Sequence, residues 1–267
     1  MHAESTHQPA HLPPGIAAAL SRRFERIVVF SGAGMSAESG IPTYRSGHDA
    51  LWKQFIPDEW VTLKGWQRDK EAVWGWHQWR RGFVMRAQPN PGHLAVGQLQ
   101  REFGAAVITQ NVDDLHERGG ASHVLHLHGS LFAARCCACA EPYALDAPPP
   151  MEQQRIAPPR CPRCGGTVRP GVVWFGDKLP KDVVQEASAL VRSCDLLLIV
   201  GTSGTVYPAA NMVERAPARA VVIEVNPAPQ DPLVRRSWTL RRSLHLQTTA
   251  AVGLPLIYEC LQRGGGI

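Results

Sequence analysis

The chain has 267 residues, 44% of them hydrophobic and 19% charged, with a formal net charge of +5. That is enough apolar material for one large domain, or one large and one small, while apolar runs such as residues 196–200 fall far below the roughly 18 residues of a membrane helix. A mild, diffuse positive charge favours acidic ligands without implying nucleic acid, and the first fifteen residues lack the basic start and apolar segment of a signal peptide. The expectation is a cytoplasmic monomer with no membrane partner and no specific nucleic acid.

Residues 28–46, VVFSGAGMSAESGIPTYRS, open like a dinucleotide-binding turn: an apolar strand, then Gly32, Ala33 and Gly34 in a G-x-G-x-x-A pattern. Ser39, Gly40 and Pro42 then stop the crossover helix that a dehydrogenase unit needs. The acidic residues about 20 positions further on, Asp49, Asp58 and Glu59, lie in aromatic, proline-broken sequence with no second strand. The turn can still offer backbone N–H groups to phosphates, with a loop through Tyr44 and Arg45 closing over the ligand.

Further along, short aliphatic runs at 27–30, 105–109, 124–127, 196–200 and 221–225 predict an α/β fold, a Rossmann-like parallel sheet with helices on both faces. Two segments do not fit that pattern. Residues 46–104 carry a tryptophan-rich helix that ends at Pro89 and Pro91, and residues 133–171 combine spaced cysteines with APPPMEQQRIAPPR. These are read as a helical insertion and a zinc-binding insertion forming a smaller lobe, with 1–45, 105–132 and 172–267 making the nucleotide-binding domain.

Cys136-x-x-Cys139 and Cys161-x-x-Cys164 form two knuckles, and four thiolates surround one tetrahedral zinc. A closed four-thiolate shell leaves no position for a catalytic water, so the metal is expected to be structural. Clustered cysteines of this kind fit a reducing compartment better than a disulfide framework. Cys137 makes the register ambiguous, although its C-x-C spacing to Cys139 suits a knuckle less well.

GAGMSAESGIPTYR, TQNVDDLHERGG (109–120), LHGS (127–130), the paired knuckles, RPGVVWFGD (169–177), GTSGTVYP (201–208) and IEVN (223–226) resemble, in order, the signature blocks of the sirtuins. The resemblance implies an NAD-consuming protein-lysine deacylase that gives nicotinamide, O-acyl-ADP-ribose and free lysine, with NAD as co-substrate and acylated-lysine proteins or peptides as partners. It implies that His128 is the general base, that Asn111 and Asp113 orient the nicotinamide ribose and carboxamide, and that Gln110 contacts ribose. Arg45 becomes a phosphate clamp and Tyr44, where the family usually has Phe, the shielding ring. Gly201, Thr202, Ser203 and Asn226 match the adenosine contacts. Val173, Phe175 and Gly176 match the segment that grips the peptide by strand addition.

His77 and Arg80 stand where the desuccinylase and demalonylase branch carries Tyr-x-x-Arg, and positions i and i+3 share a helical face. The resemblance points to removal of acetyl groups and of succinyl or malonyl groups. Two rivals are transfer of ADP-ribose from the same NAD site to another nucleophile, and a non-enzymatic zinc module that binds DNA.

Overall fold

In the computed structural model, described over residues 11–43, 51–202, 207–228 and 242–264, six parallel strands form one sheet. They are β1 (Ile27–Ser31), β2 (Ala106–Thr109), β3 (Val124–His126), β6 (Leu196–Val200), β7 (Val221–Val225) and β8 (Leu244–Leu246). Their spatial order is β3-β2-β1-β6-β7-β8. The five predicted strands are all present; β8, only three residues long, carries too little apolar sequence to announce itself. The chain builds outward from β1 in one direction and from β6 in the other, so a crevice opens beyond the carboxyl ends of these two neighbours.

Strand alternation sets the two layers that cover the sheet. Ile27 and Val29 face a core shared with α1 (Pro14–Leu20), α6 (Pro91–Phe103) and the last described helix, α9 (Ala250–Gly264). Val28 and Phe30 face the opposite core, under α8 (Lys181–Ser193) and the short 3-10 segment Ala209–Arg215. No helix among the described residues is long and apolar enough to cross a membrane.

A third core belongs to the smaller lobe. It joins Ile41, Trp66 of α4 (Leu63–Arg68) and Val73, Trp74 and Val84 of α5 (Lys70–Arg86) to Leu131 of β4 (Gly129–Cys136) and Val168 of β5 (Val168–Val172). Strands β4 and β5 pair antiparallel. Helix α5 starts at Asp69, whose carboxylate caps the Ala72 N–H at 3.0 Å, and stops ahead of the prolines as expected. The proline-rich stretch is a strap along this helix: Arg81 donates to the carbonyls of Leu145 and Ala147, and a side chain at Gly75 would run into the Gln154 carbonyl.

The sequence reading put residues 91–103 in the helical insertion. Helix α6 instead lies on the main sheet, with Ala95, Val96 and Leu99 in the core that holds Leu254 and Ile257. Asn90 initiates it, accepting from the Gly92 N–H, while the Asn90 N–H donates back to His93 Nδ1. A stripe of small and branched residues buried against a neighbouring helix decides the placement, and periodicity alone does not name the neighbour.

Candidate active site

The loop after β2 carries the expected site residues, and each has a defined partner. Gln110 Nε2 donates to Thr202 Oγ1 at 3.0 Å across the sheet crevice. Asn111 Nδ2 donates to the Gly32 carbonyl at 3.1 Å and to Ser36 Oγ at 3.2 Å. Asp113 accepts from Ser36 Oγ at 3.0 Å and from the Leu115 N–H at 3.2 Å. Burial pushes the Asp113 carboxyl above its ordinary range, against the pull of those two donors.

His128 follows β3. Its Nδ1 lies 2.9 Å from the Gln110 carbonyl, which can only accept, so Nδ1 carries the proton and Nε2 is left as the basic nitrogen. Burial holds the pKa below the ordinary value, opposed by that hydrogen bond, and the ring is therefore neutral at pH 7. The His128 carbonyl accepts from the Val173 N–H at 2.8 Å, tying this histidine to the RPGVVWFGD segment.

In that segment Phe175 is 48% exposed and Gly176 adopts φ +90°. The N–H groups of Val173, Trp174 and Phe175 donate to His128 O, Asp177 Oδ2 and Val61 O. Among the described residues the Gly176 N–H has no partner.

The glycine turn differs from expectation in detail. The Gly32 and Gly34 amides donate to the Val200 and Gly201 carbonyls, at 2.9 and 2.8 Å. The turn after β1 is thus locked onto the turn after β6, and a side chain at either glycine would strike Gly201 or Thr202. Among the described residues only Ala33 of the three keeps an N–H without a partner. Asn226, after β7, donates to the Thr202 carbonyl at 3.2 Å. Tyr44, Arg45 and Ser203 lie outside the described residues.

A narrow cleft brings the two lobes' residues together: Ala33 and Ser36 from the turn, Arg80 and Val84 from α5, and Asn111 and Asp113 from the loop. His77 does not join Arg80 there. Its ring is 2% exposed, with Nδ1 donating to the Val73 carbonyl at 2.8 Å and Nε2 accepting from Trp174 Nε1 at 3.4 Å. Burial drives its pKa down to about 3, so it is neutral and committed to the core. Arg80 Cζ sits 5.1 Å from the Trp76 ring centroid.

Sequence reading missed the layer beneath these groups. Ser36 receives hydrogen bonds from Asn111 and, at 3.5 Å, from His93 Nε2, while its own proton goes to Asp113. His116 Nε2 bonds Ser31 Oγ at 2.9 Å, Ser31 donates to Thr109, and Thr109 Oγ1 accepts from the Asn111 N–H. Asn90 Nδ2 anchors the turn through Met35 O and Ser39 Oγ. Burial takes His93 and His116 to pKa values of about 3, which keeps this layer uncharged. Asn90-Pro91-Gly92-His93 reads locally as a helix start, and nothing in it signals contact with residues 35–39.

The four predicted thiols converge: the Sγ atoms of Cys136, Cys139, Cys161 and Cys164 all lie within 4.8 Å of one another. Their closest separations, 3.4, 3.5 and 3.7 Å, approach the S···S edge of about 3.8 Å that a tetrahedron with Zn–S of about 2.3 Å requires. Backbone N–H groups of Cys139 and Ala138 help pull the Cys136 thiol down to about 6, favouring the thiolate that binds metal. Cys137 is exposed and stands apart, which settles the register.

A six-stranded parallel sheet with interlocked glycine turns at its switch point defines a dinucleotide-binding α/β protein, here with a four-thiolate zinc module. The Sir2 family model matches residues 32–208, and the chain belongs to that family. It is 53% identical over 209 residues to NAD-dependent protein deacylase 1 of Pseudomonas aeruginosa, covering 76% of this chain and 84% of that protein. It is 50% identical over 207 residues to the NAD-dependent protein deacylase of Mycobacterium tuberculosis, covering 76% and 86%. Among solved structures, a Sir2 homologue variant with ADP-ribose superposes at TM-score 0.85 and 36% identity, over 96% of this chain and 99% of that one. Sir2Af2 bound to a myristoylated histone peptide superposes at TM-score 0.68 and 31% identity, over 92% and 94%.

Proposed function

We infer that this chain is an NAD-dependent protein-lysine deacylase, releasing nicotinamide and yielding O-acyl-ADP-ribose and free lysine. NAD, when bound, supplies the electrophilic ribose carbon to which the acyl oxygen adds. The observation that carries the reading is the proton placement on His128. With Nδ1 donating to Gln110, a neutral imidazole keeps Nε2 for taking a proton from a ribose hydroxyl, the work of a general base near neutral pH.

The remaining roles follow from what each side chain touches. Asn111 and Asp113, fixed through Ser36, hold the nicotinamide ribose and carboxamide, and Gln110, Thr202 and Asn226 line the crevice toward the adenosine end. The exposed Phe175 and neighbouring Gly176 receive the peptide beside the base. Zinc on the four thiolates closes the small lobe and takes no part in the chemistry.

Acyl preference falls to Arg80 without His77. Arg80 lines the cleft together with apolar Ile41, Val84 and Val112 and with polar Ser36, Asn111 and Asp113. Acetyl-lysine is accepted, and succinyl- and malonyl-lysine gain a charge-assisted contact with Arg80. The test is mass analysis of products from NAD with acetyl-, succinyl- and malonyl-lysine peptides, repeated with Arg80→Ala. O-acyl-ADP-ribose plus nicotinamide supports the reaction, and a larger loss for the acidic acyl groups supports the role of Arg80. Labelling of protein by NAD without dependence on acyl-lysine would establish ADP-ribose transfer instead.

A further inference from the structure

His126 and His128 project from the same stretch of chain, two residues apart, and grip consecutive carbonyls of the cofactor loop. His128 Nδ1 meets Gln110 O at 2.9 Å and His126 Nδ1 meets Asn111 O at 3.0 Å. The prongs differ in what lies behind them. The far side of His126 faces a carboxylate, with Nε2 2.7 Å from Glu117 Oε1.

Both ring nitrogens of His126 therefore face groups that only accept while Glu117 is ionised. A neutral imidazole has one N–H and cannot donate to both; the imidazolium can. We propose that His126 works as an imidazolium positioning residue, holding the Asn111 carbonyl from one nitrogen and the Glu117 carboxylate from the other, and that loss of its proton loosens the loop that grips NAD. This rests on the reading that residues 110–113 hold NAD.

The surroundings agree with that charge state. The side chain of His126 is only 16% exposed, and its burial opposes charge, yet Glu117 and the Asn111 carbonyl together raise its pKa above the ordinary value. Asp113 faces it from the loop and favours its charge, although burial holds the Asp113 carboxyl itself above the ordinary range. His116, on α7 (Leu115–Arg118) beside Glu117, is kept neutral chiefly by burial, so it adds no second positive charge next to His126.

As pH rises through the folded-state pKa of His126, one of the two contacts must lose its proton. Proton loss at Nδ1 leaves two acceptors facing each other at Asn111, and that residue's side chain is the one bound to Gly32 and Ser36. Glu117→Gln removes the conflict: the amide N–H donates to Nε2, and a neutral ring keeps its Nδ1–H on Asn111.

The experiment combines ¹⁵N spectra of the histidine rings with calorimetric titration of zinc-loaded protein by NAD, at pH 6.0 and 8.5. The His126 resonance, assigned by its loss in His126→Ala, shows both nitrogens protonated at pH 6.0. NAD affinity of the unaltered protein falls at least threefold between the two pH values. Glu117→Gln shows no such fall, and His126→Ala binds NAD weakly at both. A singly protonated ring at pH 6.0 overturns the charge state, and a pH dependence unchanged by Glu117→Gln overturns the proposed mechanism. NAD binding indifferent to His126→Ala overturns the positioning role alone. No NAD binding by the unaltered protein overturns the functional reading, and the positioning role with it.

Discussion

Acidification should unfold this protein through three histidines that the fold keeps neutral. His77, His93 and His116 are buried with pKa values of about 3, against about 6.5 in an unfolded chain. Below pH 6.5 the unfolded chain takes up protons that the folded one refuses, so stability falls with pH from there down toward pH 3. At pH 5.5 each ring is protonated about ten to one in the unfolded chain, and each costs roughly RT ln 11, about 1.4 kcal/mol. Together they remove about 4 kcal/mol between pH 7.5 and 5.5, a large part of the roughly 5–15 kcal/mol typical of a domain. His126 has the opposite sign: its raised pKa contributes stability below its unfolded value that is lost as pH rises through the folded one. The assay is urea unfolding of zinc-loaded protein at pH 7.5, 6.5 and 5.5, with His77→Gln and His116→Gln variants. Each substitution should lower stability at pH 7.5 while flattening the acid slope by about a third. A slope that both variants retain in full would refute the assignment.

Other outcomes follow from single contacts. His128→Ala should reduce deacylation by about 10²–10⁴-fold, the usual contribution of a general base, while NAD binding measured by calorimetry persists. Chelation should remove one zinc per chain by metal analysis and expose the Trp66–Trp174 cluster to fluorescence quenchers, because Cys136 and Cys161 share that core. Gly201→Ala should cost about 3 kcal/mol in urea unfolding, since Gly201 has φ +58° and its added carbon would lie 2.4 Å from the Met35 nitrogen. Asp177→Asn should lower the melting temperature at pH 7 and leave less difference at pH 3. Burial raises the Asp177 carboxyl, but Arg169 at 2.6 Å and the Trp174 N–H hold it lower still, so its contribution is present above the unfolded pKa and fades as pH falls through the folded one.

The linear order of residues determined those features whose physics is local. Five strands are runs of branched or aliphatic residues, four cysteines in two C-x-x-C pairs specify a closed tetrahedral metal shell, and Asp69 and the prolines bound α5. The signature blocks singled out His128 and the loop at the carboxyl end of β2, which the fold brings into contact, because a short motif keeps its own side chains together.

What stayed hidden depends on neighbours far apart in the chain. Residues 91–103 look like any amphipathic helix, and only the apolar face of α9 draws them onto the main sheet. His77 and Arg80 share a helical spacing, yet Trp174, 97 residues from His77, takes the histidine into the core and leaves Arg80 to the cleft. The short motifs around Ser36, Asn90, His93 and His116 give none of them a role; tertiary packing excludes water and joins Ser36 to His93, His93 to Asn90 and His116 to Ser31. Charge state belongs to the same class. Burial holds His77, His93 and His116 neutral while Glu117 and the Asn111 carbonyl raise the pKa of His126, because of which acceptors and how much solvent surround each ring, quantities that arise only once the chain has folded.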